Sequence, residues 1–297
     1  MTNPDPSWDL YRTFLAVLRE GSLSGAARSL GLTQPTVGRH VDALEQAVGF
    51  PLFTRSQHGL APTPAAGELR PYAEALASTT AALLRAASGQ HGAVRGVVRV
   101  SASEIMGVEV LPPILAELRE RHPGLTIELV LSNAVEDLLR RDADIAVRMV
   151  EPAQAALVAR RLGSVTLGMH AHRRYLDRHG APESLDDLAR HSVIGFDRET
   201  PAIRALLRRV PGIDRGRFAL RADSDLAQLA AIRAGFGIGV CQVALARRDP
   251  DLVRVLPDAF ELTLGTWLAM HENLRSTPRC RAVFDALAQG LKGHVER

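Results

Sequence analysis

The residues whose types and spacing could do chemistry fall into two sets. The first lies in LTQPTVGRH, residues 32–40. Gln34 carries an amide that can pair with both edges of adenine, and Arg39 a guanidinium that can fork onto guanine or grip a phosphate. Such groups are ordinary solvated side chains on most helices. They acquire a use if they stand on the exposed first turns of a helix that can enter a groove. Thr33 is a good N-cap, and Pro35 is tolerated in a first turn, where its missing N–H would have had no partner. Val37, Val41, Leu44 and Val48 then recur at i, i+4, i+7 and i+11, which is one buried stripe. At about 100° per residue, Pro35, Thr36, Arg39, Asp42 and Ala43 fall on the opposite face. The residues read as facing a nucleic acid are Ser22, Ser24, Thr33, Gln34, Pro35, Thr36, Arg39 and Arg55.

The second set sits at the ends of strand-like runs, where ligands collect in open α/β sheets. Ser101 and Ser103 follow the run from Val97, Ser132 and Asn133 follow Leu125–Leu131, and Arg148 ends DIAVR. Phe196 ends a later run and could wall a cleft. Hydroxyls, an amide, helix N-termini and one arginine suit a small carboxylate or another anion. The bland alternatives are that Ser132 and Asn133 cap the next helix and that Arg148 pairs with Glu136 or Asp137. DSD, residues 223–225, reads as a further helix cap. His170 and His172 share a face at i, i+2, but no other ligand clusters with them, so no metal is expected. GFGIG, residues 235–239, ends a helix and starts a strand, the reverse of a dinucleotide loop. No Ser/His/Asp set or paired carboxylate motif stands out, so neither an enzyme nor a cofactor is expected.

The elements that must position these residues follow from pattern. Trp8–Glu20 places Leu10, Phe14, Val17 and Leu18 on one helical face. Gly21 stops that helix, and Ser22 or Ser24 can cap a short one of about Ser24 to Leu30. Gly31 supplies a tight turn with positive φ before the helix at Thr33. Short helix, glycine turn and capped helix with polar first residues make a helix-turn-helix. After Gly49, FPLFTRSQHGLAPTP reads as a two-stranded wing turning at Gly59, with Arg55 and His58 near the DNA backbone or minor groove. Thr63 and Pro64 repeat the cap-then-proline start. Leu69, Ala73, Leu76, Thr80, Leu83 and Ala87 then alternate at +4 and +3, a heptad seam that suits a coiled-coil dimer. Its dimerisation residues are Leu69, Ala73, Leu76 and Leu83. Pro71 should bend the helix early. SGQHG, residues 88–92, is a breaker and candidate hinge. From about 93 onward strands and helices alternate, which points to parallel sheets with crossover helices in two small α/β lobes.

Composition restricts the setting. The net charge of the 297 residues is only +3, and Lys292 is the sole lysine. In the first 62 residues Arg12, Arg19, Arg28, Arg39 and Arg55 are matched by Asp5, Asp9, Glu20, Asp42 and Glu45, so bulk charge does not argue for DNA there. Placement has to. The polar start lacks a signal-peptide pattern, no apolar run is long enough to span a membrane, and Cys241 and Cys280 form no disulfide framework. These features suit a reducing cytoplasm. Cys241 reads as core.

SLSGAARSLGLTQPTVGRHVDALEQAVGFPLFTR resembles the LysR-type transcriptional regulators. Ala26-Ala27, Leu30, Gln34-Pro35, Val37, Arg39, Leu44-Glu45, Gly49, Leu52-Phe53 and Arg55 fall at that family's spacing, and the resemblance runs from about Trp8 to Leu291. One departure is Gly38, where the family usually has serine. The hydroxyl contact is lost there, and glycine costs the helix about 1 kcal/mol. The resemblance implies an α/β fold with an all-α winged helix-turn-helix at 7–62, a long linker and dimerisation helix with hinge at 63–90, and a two-lobed effector domain at 93–297 built like periplasmic binding proteins. Lobe I would hold 93–160 and 268–297, and lobe II 161–267. It also implies a homodimer or tetramer, double-stranded promoter DNA with an interrupted palindrome, and a small-molecule effector between the lobes. RNA polymerase is a further candidate partner. The competing readings are a cytoplasmic small-molecule-binding protein without DNA function, a transport-related solute binder lacking its signal peptide, and an enzyme lacking a catalytic set.

Overall fold

The structure, a computed structural model, describes residues 5–56, 59–87, 94–133, 143–152, 157–200, 203–204, 207–208 and 214–295. The chain divides into two compact units, one running to Ala86 and one beginning at Ala87.

The N-terminal unit opens with three helices, α1 (Trp8–Glu20), α2 (Leu23–Leu30) and α3 (Gln34–Val48). Each ends on a glycine in the left-handed region: Gly21 at φ 66°, Gly31 at 67° and Gly49 at 87°. A side chain is strained at such a φ, so glycine is the residue that stops the helix there. Ser22, one of the two serines expected to cap α2, does so by accepting from Gly25 N, and α2 begins one residue earlier than expected, at Leu23; Thr33 caps α3 by accepting from Thr36 N. Phe14, Val17, Ala26, Val37 and Leu44 close the core, each at most 1% exposed. Two short strands follow, β1 (Phe53–Ser56) and β2 (Gly59–Pro62), paired antiparallel. Helix α4 (Pro64–Ala87) then runs unbroken through Pro71. Thr63 caps it, accepting from Ala66 N while its hydroxyl donates to the Pro51 and Leu52 carbonyls.

In the C-terminal unit β3 (Gly96–Ala102) lies between β4 (Leu125–Leu131) and β5 (Ile145–Arg148), all parallel. A π-helical turn at Met106–Val110 leads into α5 (Leu111–Arg121). The long strand β6 (Leu157–His172) and helix α6 (Arg173–His179) come next, then β7 (Val193–Gly195) and β8 (Phe218–Arg221), which are parallel. After them come α7 (Asp225–Arg233), β9 (Gly239–Gln242), α8 (Val243–Ala246), β10 (Leu252–Val255), β11 (Leu262–His271) and α9 (Pro278–Gly290).

The main sheet is mixed, not wholly parallel as the alternation suggests. Its order is β10-β6-β11-β5-β3-β4, with β9 also on β6. The cause is the two-lobed path. β6 carries the chain into lobe II and β11 carries it back, so they run in opposite directions, and they pair antiparallel from Leu157↔His271 to Leu167↔Leu262. β5 is buried at every position and reads as a continuous apolar run ending in Arg148. The core of lobe I gathers Val98, Val100, Leu111, Leu118 and Ile145 against Val283, Phe284 and Leu287 of α9. The helix expected after Ser132 and Asn133 lies outside the described residues. Among the described residues no helix is long and apolar enough to cross a membrane.

Candidate nucleic-acid interface and effector cleft

Helix α3 is held by its buried stripe and leaves its first turns in solvent. Gln34, Pro35 and Arg39 are exposed, as are Asp42 and Ala43 on the same face. Thr33 and Thr36 join their hydroxyls at 2.8 Å, and Arg39 reaches back to donate to Thr36 Oγ1 at 3.4 Å. The hydroxyls and guanidinium therefore cluster at the helix N-terminus, where unpaired N–H groups favour an anion. Ser24 is exposed and Ser22 half-buried at the start of α2. At Gly38 an added Cβ would meet only Leu23 Cδ1 at 3.9 Å, so space does not demand glycine there. Arg55 pairs with Leu60 in the wing ladder. His58 lies outside the described residues.

Two features that fix the wing are not legible as spacing. Glu45, on α3, accepts from Leu52 N at 2.6 Å and from Phe53 N at 3.1 Å through one oxygen, Oε1. Gly59, at φ 122°, lets β2 lie against the α1–α2 turn, where Leu60 N donates to Gly21 O at 2.9 Å. A Cβ on Gly59 would stand 2.6 Å from that same carbonyl oxygen. The wing is thus tied at both ends to the helices. Thr13 Oγ1 and His40 Nδ1, 2.9 Å apart, tie α1 to α3.

The seam of α4 divides. Ala73 is 3% exposed in the core of its own unit, and Leu69 packs against that core. Ala73 therefore serves the fold of the single chain, and Leu69 does so in part. Leu76 and Leu83 remain in solvent, 46% and 64% exposed, with Tyr72 at 72% and Leu84 at 62%.

In the C-terminal unit the expected ligand residues fall into three groups. Ser101 and Arg148, on neighbouring strands, are joined: Arg148 Nη2 donates to Ser101 Oγ at 2.7 Å, and both residues are buried. Ser103 is half-buried just beyond. Asn133 spans the lobes, its Oδ1 accepting from Glu104 N at 3.1 Å and its Nδ2 donating to Asp225 Oδ2 at 3.1 Å. Ser132 N donates to Ala102 O. Phe196 stands apart. It lines an apolar cavity inside lobe II that none of the other five residues touches. Glu136 and Asp137, the alternative partners of Arg148, lie outside the described residues.

Glu104 and the start of α7 are the part that sequence reasoning missed. Ser224 Oγ donates to Glu104 Oε2 at 2.8 Å while also capping α7 through Ala227 N. Burial and the neighbouring Glu104 charge hold the Asp225 carboxyl above its usual range, and the Asn133 amide pulls it partly back. At the far end of α7, Arg233 forks onto Glu109 at 2.6 and 3.0 Å, which lowers the Glu109 pKa. Lobe I therefore grips α7 by both ends. The sequence signal for this was DSD at a helix start facing a strand-end acid, and it reads there as a cap alone.

The histidines and cysteines have structural uses. His172 caps α6 by accepting from Arg174 N. His170 is buried with its Nδ1 2.9 Å from Gly168 O and 3.3 Å from Cys241 Sγ. Burial pushes the Cys241 thiol up to about 12, the reverse of a reactive thiolate.

Comparisons with known proteins bear on this arrangement. Residues 8–67 match the model of bacterial regulatory helix-turn-helix proteins of the lysR family, and residues 91–292 match that of the LysR substrate binding domain. The chain is 32% identical over 183 residues to the HTH-type transcriptional regulator CrgA of Neisseria meningitidis, a stretch covering 62% of this chain and 61% of that one. It is 27% identical over 287 residues to the probable HTH-type transcriptional regulator LtrA of Klebsiella pneumoniae, covering 93% and 92%. Among solved structures, the CrgA regulatory domain aligns with 66% of this chain and 99% of its own at 25% identity and a TM-score of 0.59. CbnR, a LysR family transcriptional regulator, shares the fold over 96% of this chain and 99% of its own, with a TM-score of 0.67 at 20% identity.

Proposed function

We propose, from the premise that the chain belongs to the LysR family of transcriptional regulators, that it binds promoter DNA through its N-terminal unit and answers to a small molecule through its C-terminal one. The observation that carries the reading is the free N-terminal end of α3. Gln34, Pro35 and Arg39 stand in solvent while Val37, Val41 and Leu44 lock the same helix into the core. A helix held this way enters a major groove N-terminus first. Gln34 would read adenine and Arg39 guanine or a phosphate, with Ser22, Ser24, Thr33 and Thr36 on the backbone. The wing that carries Arg55 would follow the neighbouring groove.

Pairing of two chains would use Leu76 and Leu83 of α4, the exposed half of the seam. The effector would be a small anion or a molecule with one anionic group. Ser101 and Arg148 receive that group, while Ser103, Ser132 and Asn133 supply further polar contacts. Glu104 and Asp225, bonded through Asn133, disfavour a second negative charge close by. Action at a promoter would put the protein in the cytoplasm, with RNA polymerase as a candidate partner.

Fluorescence anisotropy with duplexes from the DNA upstream of the protein's own gene, at fixed salt, tests this. Arg39→Ala should weaken binding about 5- to 150-fold, or about 1–3 kcal/mol, with the melting temperature unchanged. Equal affinity of the variant and the parent for the target duplex overturns the reading.

A further inference from the structure

The described residues of lobe II leave a space among them. A cavity of about 50 Å³ lies among β6, β7 and β9, walled by Met169, Val193, Phe196, Phe218, Ile238 and Phe260. Ile238, Phe260 and Met169 are at most 5% exposed, whereas Phe196 and Val240 at the same cavity are half-buried. The deep wall is therefore core and the shallow wall reaches solvent. Among the described residues no charged side chain lines it. The polar side chain among them is Gln228, and its Nε2 is committed to Ala222 O at 2.7 Å.

This volume exceeds the 10–15 Å³ or so that one water needs, but a water there would lack the two to four polar partners that hold it. An apolar lining of this kind leaves the space dry or gives it to an apolar guest. Ser101, Ser103, Ser132, Asn133 and Arg148 take no part in the wall. The cavity is thus chemically and spatially separate from the anion-binding position proposed above.

We propose that this cavity is a second ligand site, taking a small uncharged apolar molecule or the apolar tip of a larger one admitted past Phe196 and Val240. Its occupant would touch Gln228 of α7. That helix is bonded to lobe I at Ser224, Asp225 and Arg233 through Glu104, Asn133 and Glu109. A guest that pushes on Gln228 therefore acts on the element that joins the lobes. The site reads hydrophobicity where the cleft reads charge.

The test uses full-length protein, with xenon as a probe small enough for this volume and benzoate for comparison. Xenon should raise the melting temperature by about 3 °C at a tenfold excess over its Kd, and 129Xe NMR should show a saturable shift. Val240→Phe and the milder Val240→Leu fill the mouth and should abolish or reduce both signals. Arg148→Ala should leave them intact while removing any response to benzoate. Absence of both signals in the parent protein overturns the proposal, and so does a signal that survives both Val240 variants. Loss of the signal in Arg148→Ala overturns it too, since the guest would then sit in the cleft. A missing benzoate response with an intact xenon response would instead count against the anion-binding cleft alone.

Discussion

Glu45 should decide whether the wing stands where DNA can meet it. One carboxylate oxygen accepts from two successive backbone N–H groups, at 2.6 Å from Leu52 and 3.1 Å from Phe53. Leu52 is fully buried and Phe53 nearly so, at 9%. A hydrogen bond to a charged acceptor is worth about 1.5–3 kcal/mol, and an orphaned buried donor costs about 1–3 kcal/mol. Because both bonds share one oxygen they are not additive, so Glu45→Ala should cost about 2–4 kcal/mol locally. Glu45→Gln keeps a carbonyl acceptor and loses the charge, and should cost about half of that. Amide hydrogen exchange in the full chain reads this directly. Protection at the Leu52 and Phe53 amides should fall about 30- to 1000-fold in Glu45→Ala, and less in Glu45→Gln. DNA affinity should fall in the same order, since the wing that leaves its anchor carries its groove contacts with it. Unchanged protection at both amides in Glu45→Ala would refute the anchoring argument. A larger loss in the glutamine variant than in the alanine variant would show that an amide N–H turned toward the Leu52 and Phe53 donors, not the lost acceptor, governs the site.

Two further outcomes follow from the same geometry. Leu83→Glu places a charge on the exposed half of the α4 seam and should lower the mass measured by light scattering, with the helical content kept; an unchanged mass removes that face from the interface. In the C-terminal unit, His294 faces Gln242 Oε1 at 2.6 Å and the Arg248 guanidinium at 3.1 Å, and burial with the Arg248 charge lowers its pKa to about 4. The folded state excludes a proton that the unfolded histidine takes near 6.5, so stability is full above that pH and falls between 6.5 and 4, by about 3 kcal/mol at most. His170 and His191 shift in the same direction. Urea titrations of the parent and of His294→Gln at several pH values isolate the His294 share, and equal slopes in the two would contradict it.

What the sequence made legible was local. Gly21, Gly31 and Gly49 mark helix ends because a left-handed φ selects glycine, and Thr33 with Pro35 marks a helix start because both act within one turn. The stripe Val37, Val41 and Leu44 follows from a single periodicity. What stayed hidden needed partners far apart in sequence. No spacing rule tells that Glu45 seizes the backbone seven residues on, or that Gly59 must approach Gly21 O. The strand ends carrying Ser101 and Arg148 could be read separately, but their hydrogen bond depends on β3 and β5 being neighbours. The antiparallel return of β6 and β11 was hidden because the two strands lie far apart in sequence and neither run names its partner. Phe196 was read as a cleft wall because it ends a strand; it lines the shallow, half-buried side of the lobe II cavity.

The charge balance of the N-terminal unit determines how DNA binding has to work on this reading. Five arginines meet five carboxylates over the first 62 residues. Non-specific attraction to a duplex grows with the phosphates neutralised and the counterions released, so a neutral unit gains little from it. One copy would then rely on the few contacts that α3 and the wing can make, each worth about 1–3 kcal/mol of discrimination. Two copies held together make the second engagement intramolecular, which multiplies affinity without a new kind of contact. The exposed stripe of Tyr72, Leu76, Leu83 and Leu84 on the helix that follows the wing is the surface available for that pairing. On this reading the low charge and the exposed helix face answer one requirement: a reading head too weak to hold DNA alone would be presented twice.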